Sequence, residues 1–310
     1  MRVVVTGAAG FIGSHLCEQL LAGGHEVVGL DCFTDYYARP LKEANLRAAQ
    51  AQDRFAFHEL DLRTDDLDAV LDGADVVVNE AAMPGLVRSW EDFDAYQSCN
   101  LTGLQRLVAA CQRRGVGRIV QASTSSVYGA TAVGTEDQPL RPVSPYGVTK
   151  LAAEHLLLAH HAILGLPVVI LRYFSIYGPR QRPDMAYRIF CERLLAGEPI
   201  TVFGDGQQSR GITYVSDCVA ATVAALTAGR EGDAYNVGGG RELALLDAIE
   251  VLAGALGVQP VIERQPARPG DQRRTMADVS KARTELGWAP AVDPQEGLVA
   301  EAEWVRAQPR

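Results

Sequence analysis

Short runs of Val, Ile and Leu alternate with longer amphipathic stretches through the first half of the chain. Residues 2–6, 26–30, 55–60, 75–79, 118–123 and 168–172 read as short buried strands. Between them, residues 11–22 form an apolar helical segment stopped by Gly23-Gly24, and 91–114 and 146–164 carry helical periodicity. Strands that are apolar on both faces and separated by helices predict a parallel sheet covered on both sides.

The texture changes after Arg172. Residues 173–183 are rich in Gly, Pro and Arg, a helix follows at about 184–196, and 203–210 is turn-rich. Residues 235–240 read as one more strand ending in glycines, with helices near 243–256 and 280–286. The pattern predicts an α/β chain: a doubly wound parallel sheet of the Rossmann kind, with a smaller α/β substrate-binding domain capping its strand ends. The expected division is 1–172 and 173–310, with segments within 211–238 returning to the first sheet.

Composition narrows the picture. At 310 residues, 47% hydrophobic and 22% charged, the chain is long enough for a large core. Its longest apolar stretches, such as 166–171, fall far short of the ~20 residues of a membrane span. The first strand leads straight into a glycine loop, so no signal peptide is expected. A net charge of −9 argues against nucleic acid or an anionic membrane as partner. Six scattered cysteines without a C-x-x-C pair suggest a reduced, cytoplasmic setting. The six histidines show no ligand spacing, and no metal is expected.

Gly7, Gly10 and Gly13 lie between the first strand and the first helix, with Phe11 and Ile12 opening that helix. Glycines there let the backbone approach a pyrophosphate lying on the helix N-terminus. Asp31 closes the second strand, where a carboxylate accepts from ribose hydroxyls and repels a 2′-phosphate. NAD is therefore expected rather than NADP. Asp61-Leu62 follows the third strand and is placed to meet the adenine; Ala81-Ala82 follows the fourth and is placed on the nicotinamide side.

Tyr146 and Lys150 stand four residues apart, one turn along the same helix face, and Thr124 ends an apolar run upstream. A phenol is a poor base at neutral pH, with an ordinary pKa of roughly 10. A neighbouring ammonium is expected to draw that value down and make proton transfer possible. Lys42, Lys150 and Lys281 are the only lysines among 29 basic residues, so Lys150 persists in a chain that otherwise uses arginine.

These motifs, with Ser123-Thr-Ser-Ser-Val-Tyr-Gly129 and Arg172-Tyr-Phe174, together resemble the extended short-chain dehydrogenase/reductases across nearly the whole chain. Asp31-Cys-Phe-Thr-Asp-Tyr-Tyr37, Leu41-Lys42 and Tyr177-Gly-Pro-Arg-Gln-Arg-Pro-Asp-Met-Ala186 are most similar to the UDP-glucuronate 4-epimerases. The resemblance implies an isomerase that inverts C4 of a UDP-sugar through a transient 4-keto intermediate. It implies Tyr146 as general base, Lys150 as its electrostatic partner and a ligand of the nicotinamide ribose, and Thr124 as a hydroxyl partner. Asn100 and Tyr173 would join the cofactor contacts. Arg210, Arg268 and Asp271 would grip the nucleotide, although Gly211 stands where these epimerases usually carry Asp. Arg182 would clamp a sugar carboxylate, with Thr124, Ser125, Ser126 and Ser175 as neutral contacts. A clamp that keeps the carboxylate in the plane of the ketone opposes loss of carbon dioxide from the intermediate. A homodimer through the helical segments 91–114 and 146–164 is implied as well.

Thr124-Ser125-Ser126 lacks the acid that dehydratases and decarboxylases of this group resemble one another in carrying there. The readings left open are a UDP-glucose/UDP-galactose 4-epimerase, a UDP-glucuronate decarboxylase, and an NAD-sensing protein without catalysis.

Overall fold

The computed structural model of the chain describes residues 1–266 and 274–308. Seven strands form one parallel sheet: β1 Arg2–Thr6, β2 Glu26–Asp31, β3 Phe55–Glu59, β4 Val76–Asn79, β5 Arg118–Thr124, β6 Val168–Tyr173 and β7 Asp233–Val237. Their order across the sheet is β7-β6-β5-β4-β1-β2-β3. The order reverses between β1 and its neighbours β2 and β4, so the chain leaves a crevice at the carboxyl ends of those strands. Val4 sits between Val28 and Val77 in register, which shows why these runs are apolar on both faces.

Three strands run one residue beyond their apolar runs. Asp31 pairs with Glu59, and Thr124 pairs with Tyr173. The backbone ladder extends regardless of side-chain polarity, and it carries three polar groups to the edge where the crevice opens.

Helices Phe11–Ala22, Arg39–Gln50 and Val215–Ala224 cover one face of the sheet around Leu16, Cys17, Leu46 and Cys218. Helices Leu104–Arg114 and Pro145–Leu164 cover the other around Leu107, Ala153 and Leu157. The expected helix over 91–114 is interrupted: Phe93–Gln97 and Leu104–Arg114 flank a π-helical turn, Ser98–Gly103. In that turn Asn100 is buried and tied to the loop after β4, accepting from Met83 N at 2.8 Å. A wider turn at a functional edge is the usual setting for such a bulge.

The smaller part packs helices Ala186–Ala196, Leu245–Leu256 and Pro294–Arg306 around Cys191, Leu252 and Leu298. A four-stranded sheet orders Glu242–Ala244, Ser209–Gly211, Arg274–Ala277 and Ala132–Gly134. No helix among the described residues is long and apolar enough to cross a membrane.

Candidate active site

The carboxyl ends of the central strands open on a cleft of about 1230 Å³, counting its solvent mouth, lined by Asp31, Glu80, Tyr146, Lys150, Tyr173 and Arg182 among others. The glycine turn forms one wall. Gly7 has φ +68°, and a Cβ there would stand 2.9 Å from Ala81 N in the loop after β4. A Cβ on Gly13 would stand 2.2 Å from the Gly7 carbonyl oxygen. Helix Phe11–Ala22 has no side-chain cap and no acid in its first turn, so its leading N–H groups and dipole are available to an anion.

Asp31 accepts from Phe33 N at 2.8 Å and Ala9 N at 3.1 Å. Burial pushes its carboxyl above the usual range, opposed by those backbone bonds and by Lys42. Lys42 itself donates to the Thr34 carbonyl at 2.6 Å and lies over the Tyr37 ring at 4.8 Å. Asp61 also lines the cleft, but its carboxylate is held by the Arg63 fork at 2.7 Å.

Ser144 caps helix Pro145–Leu164, accepting from Gly147 N at 3.1 Å, and so fixes the helix start beside Tyr146. Burial raises the Tyr146 phenol above its ordinary value; a hydrogen bond with Thr124 and the Arg182 charge oppose that rise. Lys150 lines the same cleft as the phenol. Its Nζ donates to the Ala122 carbonyl of β5 at 2.7 Å, pointing along the cleft wall. Burial draws the Lys150 ammonium down to about 8, against the charges of Glu80 and Glu154. Thr124 Oγ1 also accepts from Ser126 N at 3.2 Å at the start of the turn Ser125–Val127.

Of the expected cofactor contacts, Gly7, Gly10, Phe11, Ile12, Gly13, Leu62, Ala81, Ala82 and Tyr173 line the cleft with Asp31, Asp61, Tyr146 and Lys150. Asn100 lies one layer behind. It bridges Met83 and Thr149 Oγ1 (3.0 Å), linking the loop after β4 to the catalytic helix. Arg182 reaches the cleft, while Ser125, Ser126, Ser175 and Arg210 lie outside its lining. Arg210 sits on strand Ser209–Gly211 and donates to the Ser209 carbonyl at 2.9 Å. Arg268 and Asp271 lie outside the described residues.

Two groups escaped the sequence reading. Glu80, first residue after β4, lies 2.7 Å from the Tyr173 hydroxyl. Its signal was a carboxylate directly before Ala81-Ala82 at the end of an apolar run. Asp184 accepts from both Arg182 (2.9 Å) and Tyr36 (3.0 Å), and lay unremarked inside a quoted motif.

A doubly wound sheet with a glycine turn at its switch point, facing a Tyr–Lys helix across one cleft, defines an enzyme that works with a bound dinucleotide. The chain belongs to the NAD dependent epimerase/dehydratase family, whose sequence profile matches residues 3–238. It is 42% identical over 98% of both chains to an uncharacterized UDP-glucose epimerase of Bacillus subtilis. It is 38% identical to the UDP-glucose 4-epimerase of Mycolicibacterium smegmatis, over 99% of both chains. Among solved structures, the UDP-glucuronic acid 4-epimerase of Bacillus cereus with UDP-glucuronic acid and NAD matches with a TM-score of 0.95. That match has 42% identity and 99% coverage of each chain. The chain is thus an NAD-dependent enzyme, an isomerase of the epimerase kind, in the extended short-chain dehydrogenase/reductase fold.

The residues fit that cofactor. Positions where a Cβ would strike backbone, uncapped N–H groups and an acid ending β2 are what a pyrophosphate and a ribose diol require.

Proposed function

We propose that the protein inverts C4 of a UDP-sugar, converting UDP-glucuronate to UDP-galacturonate. The observation that carries this reading is Arg182: a guanidinium that lines the same cleft as Tyr146 and acts on its phenol. A planar cation beside the proton-transfer group suits a carboxylate on the reacting sugar. Thr124 offers its hydroxyl to Tyr146, and Ser125 and Ser126, next in the chain behind the cleft lining, bring no second acid.

Bound NAD supplies a two-electron oxidation at C4 and its reversal. Tyr146 takes the proton from the 4-hydroxyl oxygen and, once the sugar has turned over, returns it to that same oxygen as C4 is reduced from its other face. Thr124 shares that oxygen and, through its bond to the phenol, favours the ionised ring. Lys150 holds positive charge in the same cleft and would hold the nicotinamide ribose. Gly7, Gly10, Gly13, Asp31, Asp61, Leu62, Ala81 and Ala82 would surround the cofactor, and Asn100 fastens Met83 behind that wall. Arg210, Ser175, Arg268 and Asp271 are assigned to the substrate, with residues 173–310 as its domain. Anchoring at the nucleotide leaves the sugar free to turn.

A homodimer accords with the exposed Leu86, Val87, Trp90 and Phe93 beside helix Pro145–Leu164, which exposes Val148. The cytoplasm is the assigned compartment, in keeping with six unpaired cysteines.

The test is to incubate the NAD-loaded protein with UDP-glucuronate and with UDP-glucose, following epimer formation and carbon dioxide. Epimerised glucuronate without carbon dioxide is expected, abolished in Tyr146→Phe. Turnover of glucose alone would reject the acid-sugar assignment; release of carbon dioxide as the main product would make the enzyme a decarboxylase.

A further inference from the structure

Two carboxylates favour the charge of Lys150, and they differ in one respect. Glu154 is already neutralised: it pairs with Arg172 at 2.8 Å in a buried site and also accepts from Ser123. Glu80 has no ion pair among the described residues, yet it lines the same cleft as Lys150 and favours its ammonium.

The surroundings of Glu80 are close to apolar. It follows the valines of β4 on the face packed against helices Phe11–Ala22 and Val215–Ala224. The titratable groups around it are Cys17 on the first helix, Cys218 on the second, Tyr173 at the end of β6, and Tyr146 and Lys150 on the catalytic helix. Burial pushes Glu80 up to about 7, opposed by the Tyr173 hydroxyl and by Lys150.

Counting protons gives an independent reason for that poise. The Tyr173 hydroxyl lies 2.7 Å from Glu80 Oε1 and 2.8 Å from Thr222 Oγ1, and Thr222 Oγ1 lies 2.9 Å from the Cys218 carbonyl oxygen. Three contacts in line need three protons, and two hydroxyls supply two. A proton on Glu80 supplies the third. With Glu80 ionised, Tyr173 donates to the carboxylate and one contact in the row goes without a proton.

We propose that Glu80 is the positioning residue that sets the charge on Lys150. Ionised, its carboxylate sustains the ammonium in the cleft; protonated, it completes the hydroxyl row and leaves Lys150 without an uncompensated counter-charge. The inference rests on Lys150 acting in the reaction, as assigned above, but its test separates the two.

Only three lysines occur in the chain, so ¹⁵N-lysine labelling gives three side-chain signals, assigned with Lys42→Arg and Lys281→Arg. In the NAD-loaded protein, the Lys150 signal is expected to titrate in two steps, one near neutrality from Glu80. In Glu80→Gln its midpoint is expected to fall by about one pH unit, a tenfold change in acid constant. The alkaline limb of kcat/KM should move with it. A single-step Lys150 curve in the wild type overturns the proposal without recourse to any variant. So does an unmoved midpoint in folded Glu80→Gln. A midpoint that moves while the kinetic limb stays in place overturns the catalytic role of Lys150 instead, and leaves the Glu80 link standing.

Discussion

Asp184 grips Arg182 from two oxygens, accepting from Nε at 2.9 Å and from Nη2 at 3.0 Å. Burial works against the Asp184 charge, yet the Arg182 fork and the Tyr36 hydroxyl hold its carboxyl below the usual range. The arginine assigned to the sugar acid therefore already carries an internal carboxylate on one edge of its guanidinium.

That contact predicts a gain of affinity. Asp184→Asn keeps the shape and removes the rival charge. KM for UDP-glucuronate should fall about three- to tenfold, roughly 0.7–1.4 kcal/mol, with KM for UDP-glucose unchanged. Arg182→Ala should do the reverse, harming glucuronate more than glucose. Equal effects on both sugars would remove Arg182 from sugar selection. Steady-state kinetics with the two substrates decides it.

The glycine turn makes a second prediction. A methyl group at Gly13 meets the Gly7 carbonyl oxygen at 2.2 Å, and both partners are backbone. Gly13→Ala should cost about 1–3 kcal/mol of stability and abolish co-purified NAD, read from thermal midpoints and from the ultraviolet spectrum after denaturation.

The buried pair of Glu154 and Arg172 supplies a third. Glu154→Leu strands a guanidinium that is 5% exposed, at a cost of about 3–5 kcal/mol. Glu154→Leu with Arg172→Met should recover most of that loss, because neither member of the pair is left charged without the other. Urea midpoints of the two variants and the wild type would show it.

A fourth concerns pH. Glu301 is wholly buried, accepts from Gly178 N at 2.9 Å, and burial pushes its carboxyl up to about 8. Below the ordinary carboxylate range it is protonated folded or unfolded and costs nothing. Between that range and about 8 the unfolded chain sheds the proton first, so stability drains away as pH rises. Glu301→Gln should match the wild type near pH 4 and melt higher at pH 8.5, by about 2–4 °C for each kcal/mol recovered. Identical melting at both values would mean that Glu301 is ionised in the fold.

The strands and the glycine turn were legible because burial on both faces leaves unbroken apolar runs, as in residues 76–78, and because Gly7, Gly10 and Gly13 have no other use at that spacing. Helix Arg39–Gln50 was passed over, since only Leu46 and Ala49 of its apolar side chains are fully buried and the rest is polar. Helix Val215–Ala224 was missed for the opposite reason: it is largely apolar and has no side-chain cap. Helix Pro294–Arg306 was passed over as well, although Asp293 accepting from Gln295 N and Pro at the first turn mark its start. In the site, the spacing of Tyr146 and Lys150 gave the shared helix but not where the amine points. That depends on the Ala122 carbonyl, a contact across 28 positions of sequence. The setting of Glu80 was illegible for the same reason, because Tyr173, and Thr222 behind it, are brought to it only by the folded sheet.

Strand β7 pairs with β6 from Asp233↔Val169 to Val237↔Tyr173, although some sixty residues, much of the smaller part among them, lie between them in the chain. The enzyme is therefore stitched rather than tethered. A fragment cut at residue 172 would carry a raw sheet edge and an uncovered flank on helix Phe11–Ala22, and it would stick to itself before it could hold a nucleotide.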